Sequence, residues 1–150
     1  MLEQAFNFKQ FSKTLYTSGM PSKEQLEDVI NFNIQLVINL APHNVDKALK
    51  NEENIVRSLN IEYINIPVDW FIPTKDNLIT FMDLMDKNTD KTVYVHCQAN
   101  FRASSFVTIY RILRQDWNKA EALKTMYEIW DANAYPIWQE FIAEFVEKEK

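Results

Sequence analysis

The stretch VYVHCQANFRASS, residues 93–105, decides the fold of this chain. Its first part, with Thr92 before it, is a short apolar run that predicts a buried strand ending at His96, and its last part predicts the start of a helix. Cys97 therefore lies directly between a strand and a helix. Because ligands bind outside the carboxyl ends of the strands in open α/β sheets, the same stretch predicts the binding site.

Strand and helix signals alternate along the rest of the chain. Short apolar or alternating runs at residues 15–18, 35–40 and 61–66 predict three further strands. Helix starts are indicated by possible N-caps at Ser22, Thr74 and Asn118 and by Pro136 in a first turn. A further helix is expected after the loop at residues 42–44 and ends near Leu59.

Apolar residues at helical spacing predict the buried faces of these helices. They are Leu26, Val29 and Ile30; Leu78, Phe81, Met82 and Met85; Phe106, Ile109, Tyr110 and Leu113; and Ala122, Leu123, Met126 and Ile129. Alternating strands and helices predict an α/β fold, with a mainly parallel central sheet flanked by helices on both faces. The length of 150 residues fits one domain, residues 1–150.

The charge balance limits the classes of partner. Sixteen basic and 21 acidic residues give a net charge of −5, and the charges are scattered along the chain. Nucleic acid is not expected as a partner, because a basic face supplies most of that affinity. No run approaches the ~18 apolar residues of a membrane span, so no membrane association is expected either.

Rare residue types indicate the compartment and the turn chemistry. One cysteine cannot form an internal disulfide, and the first ten residues do not have the pattern of a signal peptide, so a cytoplasmic protein is expected. The sequence has a single glycine, Gly19. Every other tight turn therefore has to use Asn, Asp, Ser or Pro.

Cys97 is the residue whose surroundings point to chemistry. Unpaired backbone amides and the helix dipole at a helix start favour a bound anion and the thiolate form of a cysteine, which is the nucleophile. A lone cysteine at a strand end can also be an inert buried residue. His96, Arg102 and the helix start all lie around Cys97, and this context favours the reactive cysteine.

Residues 96–105 resemble the signature of the protein tyrosine and dual-specificity phosphatase superfamily. That signature is His-Cys, five residues, Arg, then Ser or Thr, between a strand and a helix. The segments 18–21 (SGMP), 37–40 (VINL) and 67–69 (PVD) resemble a small bacterial branch, of which some members are labelled β-lactamase-hydrolase-like. The resemblance covers roughly residues 17–138.

The resemblance implies a cysteine-phosphatase fold and a cysteine-dependent phosphomonoester hydrolase that acts through a phosphocysteine intermediate. It implies no cofactor and no metal. Cys97 corresponds to the nucleophile, Asp69 to the general acid on a loop after a strand, and Arg102 to the phosphate-binding arginine. The implied phosphate-binding segment is Gln98, Ala99, Asn100, Phe101 and Arg102, with His96, Ser104 and Asn39 in supporting roles. His43 is expected to be a surface residue.

The position of the arginine departs from the family pattern. Counted from Cys97, the family arginine falls at Ala103, whereas this chain has arginine at position 102. An ungapped alignment puts Asn100, a residue that tolerates φ > 0, at the loop glycine, Ala103 at the arginine and Ser104 at the hydroxyl. An alignment with one residue deleted keeps the role of Arg102 and places Ala103 at the hydroxyl. Turnover depends on which alignment holds.

Two other functions stay open at this point. One is a pseudophosphatase, a weak or inactive module that recognises phosphate or a partner protein; the other is rhodanese-type sulfur transfer. The expected ligand is a phosphorylated protein or a small phosphate ester, with a phosphate or sulfate ion in the loop. Trp70, Phe71 and Phe101 either form an aromatic rim for a phenyl ring or pack the Asp69 loop onto the body of the protein.

Overall fold

Five strands form the sheet in the computed structural model, which describes residues 1–45 and 48–147. The strands are β1 (Lys9–Ser12), β2 (Leu15–Ser18), β3 (Leu36–Asn39), β4 (Glu62–Asn65) and β5 (Val93–His96), in the spatial order β1-β2-β5-β3-β4. β2, β5, β3 and β4 run parallel, and β1 pairs antiparallel with β2 at the edge. The mainly parallel α/β sheet is therefore confirmed, with β5 at its centre.

In the described part of the chain, six α-helices connect and follow the strands. They are α1 (Lys23–Glu27), α2 (Glu52–Ser58), α3 (Lys75–Lys87), α4 (Phe101–Arg114), α5 (Lys119–Tyr127) and α6 (Pro136–Val146). The predicted caps are confirmed: Ser22, Thr74 and Asn118 each accept a backbone N–H with the side-chain oxygen. The Gln25 side chain also accepts the Ser22 N–H, which completes a capping box.

The parallel strands bury side chains on both faces of the sheet. Ile38 and Val95 pack in a cluster with residues of α3, α4, α5 and α6. Val37 and Tyr94 pack in a second cluster with residues of α1 and α2. Since alternate residues of a strand point to opposite faces, the predicted arrangement with helices on both faces is confirmed.

Three features differ from the sequence-based expectations. β1 was not predicted, because the polar run KQFS gains strand structure only by pairing with β2 at the edge. Ile30 is 48% exposed, since α1 passes into a 3-10 turn at Asp28–Phe32 that changes the helical period. The helix expected from the loop at 42–44 to Leu59 begins only at Glu52, and its predicted part at positions 46–47 lies outside the described residues.

Across residues 1–45 and 48–147, none of the helices combines the length and the apolar character needed to span a membrane.

Candidate active site

Cys97 follows β5 at the carboxyl edge of the sheet, between the ends of β2 and β3. Its N–H donates to the Ser18 carbonyl of β2 (3.3 Å), and the Ala103 N–H of α4 donates to its sulfur (3.4 Å). The side chain is fully buried. A backbone amide from the first turn of α4 is thus aimed at the sulfur.

The loop at residues 97–100, here called the cysteine loop, is held by the N-terminal segment. Met20 N–H donates to the Gln98 carbonyl (3.0 Å), and the Asn7 side-chain amide donates to the Ala99 carbonyl (3.0 Å). A Cβ on Gly19 would lie 2.7 Å from the Gln98 oxygen, which is too close for any side chain. The one glycine of the chain therefore permits this close approach, and the sequence did not reveal that use.

Asn100 closes the loop with a left-handed backbone, φ 71° and ψ 6°. Its side-chain amide donates to the Asn7 carbonyl (2.7 Å) and to the Thr17 hydroxyl (2.9 Å), and the residue is fully buried. Asn tolerates this backbone better than most residues. Asn100 therefore takes the φ > 0 backbone that the ungapped alignment expects at this position.

Arg102 lies in the first turn of α4 and is only 4% exposed. Its guanidinium carbon lies 5.5 Å from the centroid of the Trp70 ring, and its Nε has no hydrogen-bond partner among the described residues. Arg102 lines a cavity of about 240 Å³ together with Trp70, Gln98, Ala99 and Phe101. The fold thus brings the arginine to the cysteine loop although its position in the sequence departs from the family pattern.

Asp69 lies in the loop that follows β4. It is exposed, and its carboxylate accepts the N–H of Phe71 (2.8 Å). Asp69 is not among the residues that line the cavity beside Arg102. The next residue, Trp70, does line it, so the Asp69 loop reaches the border of the site.

Aromatic packing holds this loop against the body of the protein. Trp70 stacks on Trp138 with centroids 5.3 Å apart, and its carbonyl accepts the Trp138 indole N–H (2.8 Å). Phe101 stacks on Trp130 at 4.4 Å. Trp70 and Phe101 therefore combine the packing role with a place on the cavity wall, whereas Phe71 is 70% exposed and does not line the cavity.

A buried polar network lies behind the cysteine loop, on the side of α1 and α2. His96 Nε2 contacts the Glu52 carboxylate, whose other oxygen accepts from the Asn39 side-chain amide (3.2 Å). Asn39 also donates to the Tyr63 hydroxyl (3.1 Å) and accepts the N–H of Ala41 (2.9 Å), two residues further along the chain. Burial, with the charge of Glu52, raises the pKa of Tyr63 and keeps its hydroxyl protonated.

Ser104, a member of the predicted set, and His43, which was expected only at the surface, both have partners that the sequence did not indicate. The Ser104 hydroxyl donates to the Phe101 carbonyl (3.3 Å) within α4. His43 is exposed, as expected, and contacts the Tyr63 hydroxyl (3.3 Å), a partner that the sequence did not indicate. The sequence did not indicate a role for Glu52, because a glutamate in a first helical turn is usually solvated.

Comparison with known proteins gives one family and several related structures. A family model described as DSP-PTPase phosphatase fused to NAD+ kinase matches residues 3–135. A crystal structure from Shewanella putrefaciens CN-32, named as a phosphatase of the DUF442 group, is 31% identical, covers 99% of this chain and 94% of its own, and has a TM-score of 0.87. No curated protein matches the chain.

Two more distant structures share the fold. The core catalytic domain of the PP-IP phosphatase SIW14 from S. cerevisiae, in complex with citrate, is 16% identical over 97% of this chain and 88% of its own, with a TM-score of 0.78. TpbA from P. aeruginosa, in complex with phosphotyrosine, is 17% identical over 91% and 83%, with a TM-score of 0.74.

Proposed function

This chain belongs to the tyrosine and dual-specificity phosphatase superfamily, and we propose that it is a cysteine-dependent phosphomonoester hydrolase. The observation that carries the proposal is the placement of Arg102. A buried guanidinium whose Nε has no partner among the described residues lines the same cavity as the cysteine loop. A buried charge of this kind is costly unless a ligand pairs with it, and a phosphate dianion suits the planar fork of arginine.

The proposed reaction has two displacements at phosphorus. In the first, the Cys97 sulfur attacks, an S–P bond forms and the P–O bond to the leaving group breaks, while Asp69 gives its proton to the leaving oxygen. In the second, Asp69 takes a proton from water, which attacks phosphorus and breaks the S–P bond to release phosphate. Arg102 and the amides of residues 98–102 hold the non-bridging oxygens.

A phosphate-recognition module without turnover is the second candidate. The left-handed backbone of Asn100 favours the ungapped alignment, in which Ala103 stands at the arginine position. Such a protein would keep the amides that bind an anion while transition-state stabilisation is reduced. Sulfur transfer of the rhodanese type is the third, and its test is thiosulfate sulfurtransferase activity.

Hydrolysis of p-nitrophenyl phosphate by the wild type and by Cys97→Ser separates these functions. We expect turnover by the wild type that is lost in the variant, with inorganic tungstate still bound by both. Tungstate binding without hydrolysis in the wild type would assign the chain to the recognition module. Sulfurtransferase activity that depends on Cys97 would instead assign the chain to rhodanese-type sulfur transfer.

The ligand class follows from the same cavity. We propose a phosphorylated protein or a small phosphate ester as substrate, with phosphate or sulfate able to occupy the loop. Phosphotyrosine, which TpbA binds in its crystal structure, is the first ester to test, since Trp70 and Phe101 offer aromatic surface beside Arg102. A cytoplasmic location and the lack of nucleic-acid and membrane partners stay predictions.

A further inference from the structure

The contact between His96 and Glu52 is the feature that the reaction above leaves unused. Both side chains are buried, at 0% and 4% exposure. Glu52 is the first residue of α2, where the helix dipole favours a carboxylate. It is joined to a residue 44 positions away that directly precedes the nucleophile.

The partners of the imidazole indicate where its protons lie. Nε2 faces the Glu52 carboxylate, and Nδ1 lies 3.4 Å from the Cys97 carbonyl oxygen. A carboxylate and a carbonyl oxygen only accept hydrogen bonds. Both contacts are therefore hydrogen bonds when the ring carries a proton on each nitrogen, and the Glu52 charge balances the resulting cation.

The Cys97 carbonyl matters because of the peptide plane to which it belongs. The peptide bond is trans, so the Gln98 N–H points opposite to the Cys97 C=O. When the His96 ring bonds the Cys97 carbonyl oxygen, it fixes the orientation of this peptide plane. The Gln98 N–H, on the opposite side of the plane, then points away from His96. The backbone on either side is already held, since the His96 carbonyl accepts the Leu40 N–H (2.8 Å) and the Cys97 N–H donates to Ser18 (3.3 Å).

We propose that Glu52 is a positioning residue that acts through His96, which it holds as an imidazolium, to orient the first peptide of the cysteine loop for anion binding. This inference rests on the proposed function of the same site. The Asn39 amide fixes the other Glu52 oxygen, so the carboxylate has one orientation toward the ring. Glu52 itself touches neither substrate nor sulfur.

Glu52→Gln and the neighbouring Glu53→Gln make a matched pair, because Glu53 is exposed and pairs only with Arg57 in the described part of the chain. We expect Glu52→Gln to lower kcat on p-nitrophenyl phosphate about tenfold, the lower end of the loss that follows removal of the carboxylate partner of a metal-bound histidine. Tungstate affinity should fall by a similar factor. Glu53→Gln should match the wild type in both measurements.

Nitrogen NMR of histidine tests the mechanism separately from turnover. The chain has two histidines, so His43→Gln leaves only the His96 signals. At pH 7 we expect both of its ring nitrogens to be protonated, and Glu52→Gln, but not Glu53→Gln, to remove one proton.

A neutral His96 ring in the otherwise native chain would overturn the inference, even if Glu52→Gln failed to fold. Unchanged kcat and tungstate affinity in a folded Glu52→Gln would overturn it as well. A wild type that binds tungstate without hydrolysing esters would refute the proposed function alone, and tungstate affinity with the NMR result would still decide the role of Glu52.

Discussion

At the scale of single residues, the position of Arg102 decides whether the site turns over. Its guanidinium lines the cavity although the arginine stands one residue early. Arg102→Lys should lower kcat/KM on p-nitrophenyl phosphate about 100-fold, because an ammonium cannot replace the planar fork. Arg114→Lys is the control, since Arg114 lies on the same helix and pairs with Asp83 and Asp86 at the surface.

The double change Arg102→Ala, Ala103→Arg separates the two alignments. If Arg102 is the arginine that binds phosphate, the double variant should be no more active than Arg102→Ala alone. A gain in activity over a nearly inert wild type would favour the ungapped alignment and the recognition module.

Asp69 is the residue proposed as general acid. A general acid contributes about 10²–10⁴-fold when the leaving oxygen needs a proton, and least for a good leaving group. Asp69→Asn should therefore slow alkyl phosphate hydrolysis much more than p-nitrophenyl phosphate hydrolysis, as read from kcat/KM on the two esters. An equal loss on both would remove Asp69 from this role.

Gly19 tests how closely the N-terminal segment must approach the cysteine loop. In Gly19→Ala the new methyl would lie 2.7 Å from the Gln98 carbonyl oxygen and 3.2 Å from the Phe6 carbonyl oxygen, so backbone must move. Overpacking of this kind costs about 1–3 kcal/mol. Urea unfolding should show that loss together with weaker tungstate binding, whereas wild-type values in both would show that the loop tolerates the shift.

At the scale of elements, the Trp70 side chain anchors the Asp69 loop, whereas the Phe71 side chain is exposed. Trp70 contacts the rings of Phe101, Trp130, Tyr135 and Trp138. Trp70→Ala should lower the free energy of unfolding by roughly 2 kcal/mol, less than the ~3–5 kcal/mol for a fully buried tryptophan, and should also reduce turnover. Phe71→Ala, at a residue that is 70% exposed, should stay within about 0.5 kcal/mol. Equal effects would show that this stack does not hold the loop.

At the scale of the whole molecule, we propose that residues 1–150 unfold as a single domain. α4 contacts α3, α5 and α6 as well as β2 and β5, so opening one layer exposes the core of the next. The calorimetric and van't Hoff enthalpies of unfolding should then agree. Two resolved transitions would divide the chain into separate domains.

The sequence by itself determined the order of the four parallel strands and of the α-helices, and the place of Cys97. These depend on local patterns, namely apolar runs, helical spacing and capping residues, which the chain carries within a few positions. The location of Asn100 in a left-handed turn is local in the same sense, since a chain with one glycine uses Asn or Asp at such turns.

Only the tertiary structure decided which distant side chains meet. β1 exists through pairing with β2. The Glu52–His96 contact exists because α2 packs against α1 and β4, which brings its first residue, Glu52, to the ends of β3 and β5. The Arg102 guanidinium lies over the ring of Trp70, whose carbonyl accepts the indole N–H of Trp138, 68 residues further along the chain. Contacts over such separations arise from packing of whole elements, and a local pattern carries no information about them.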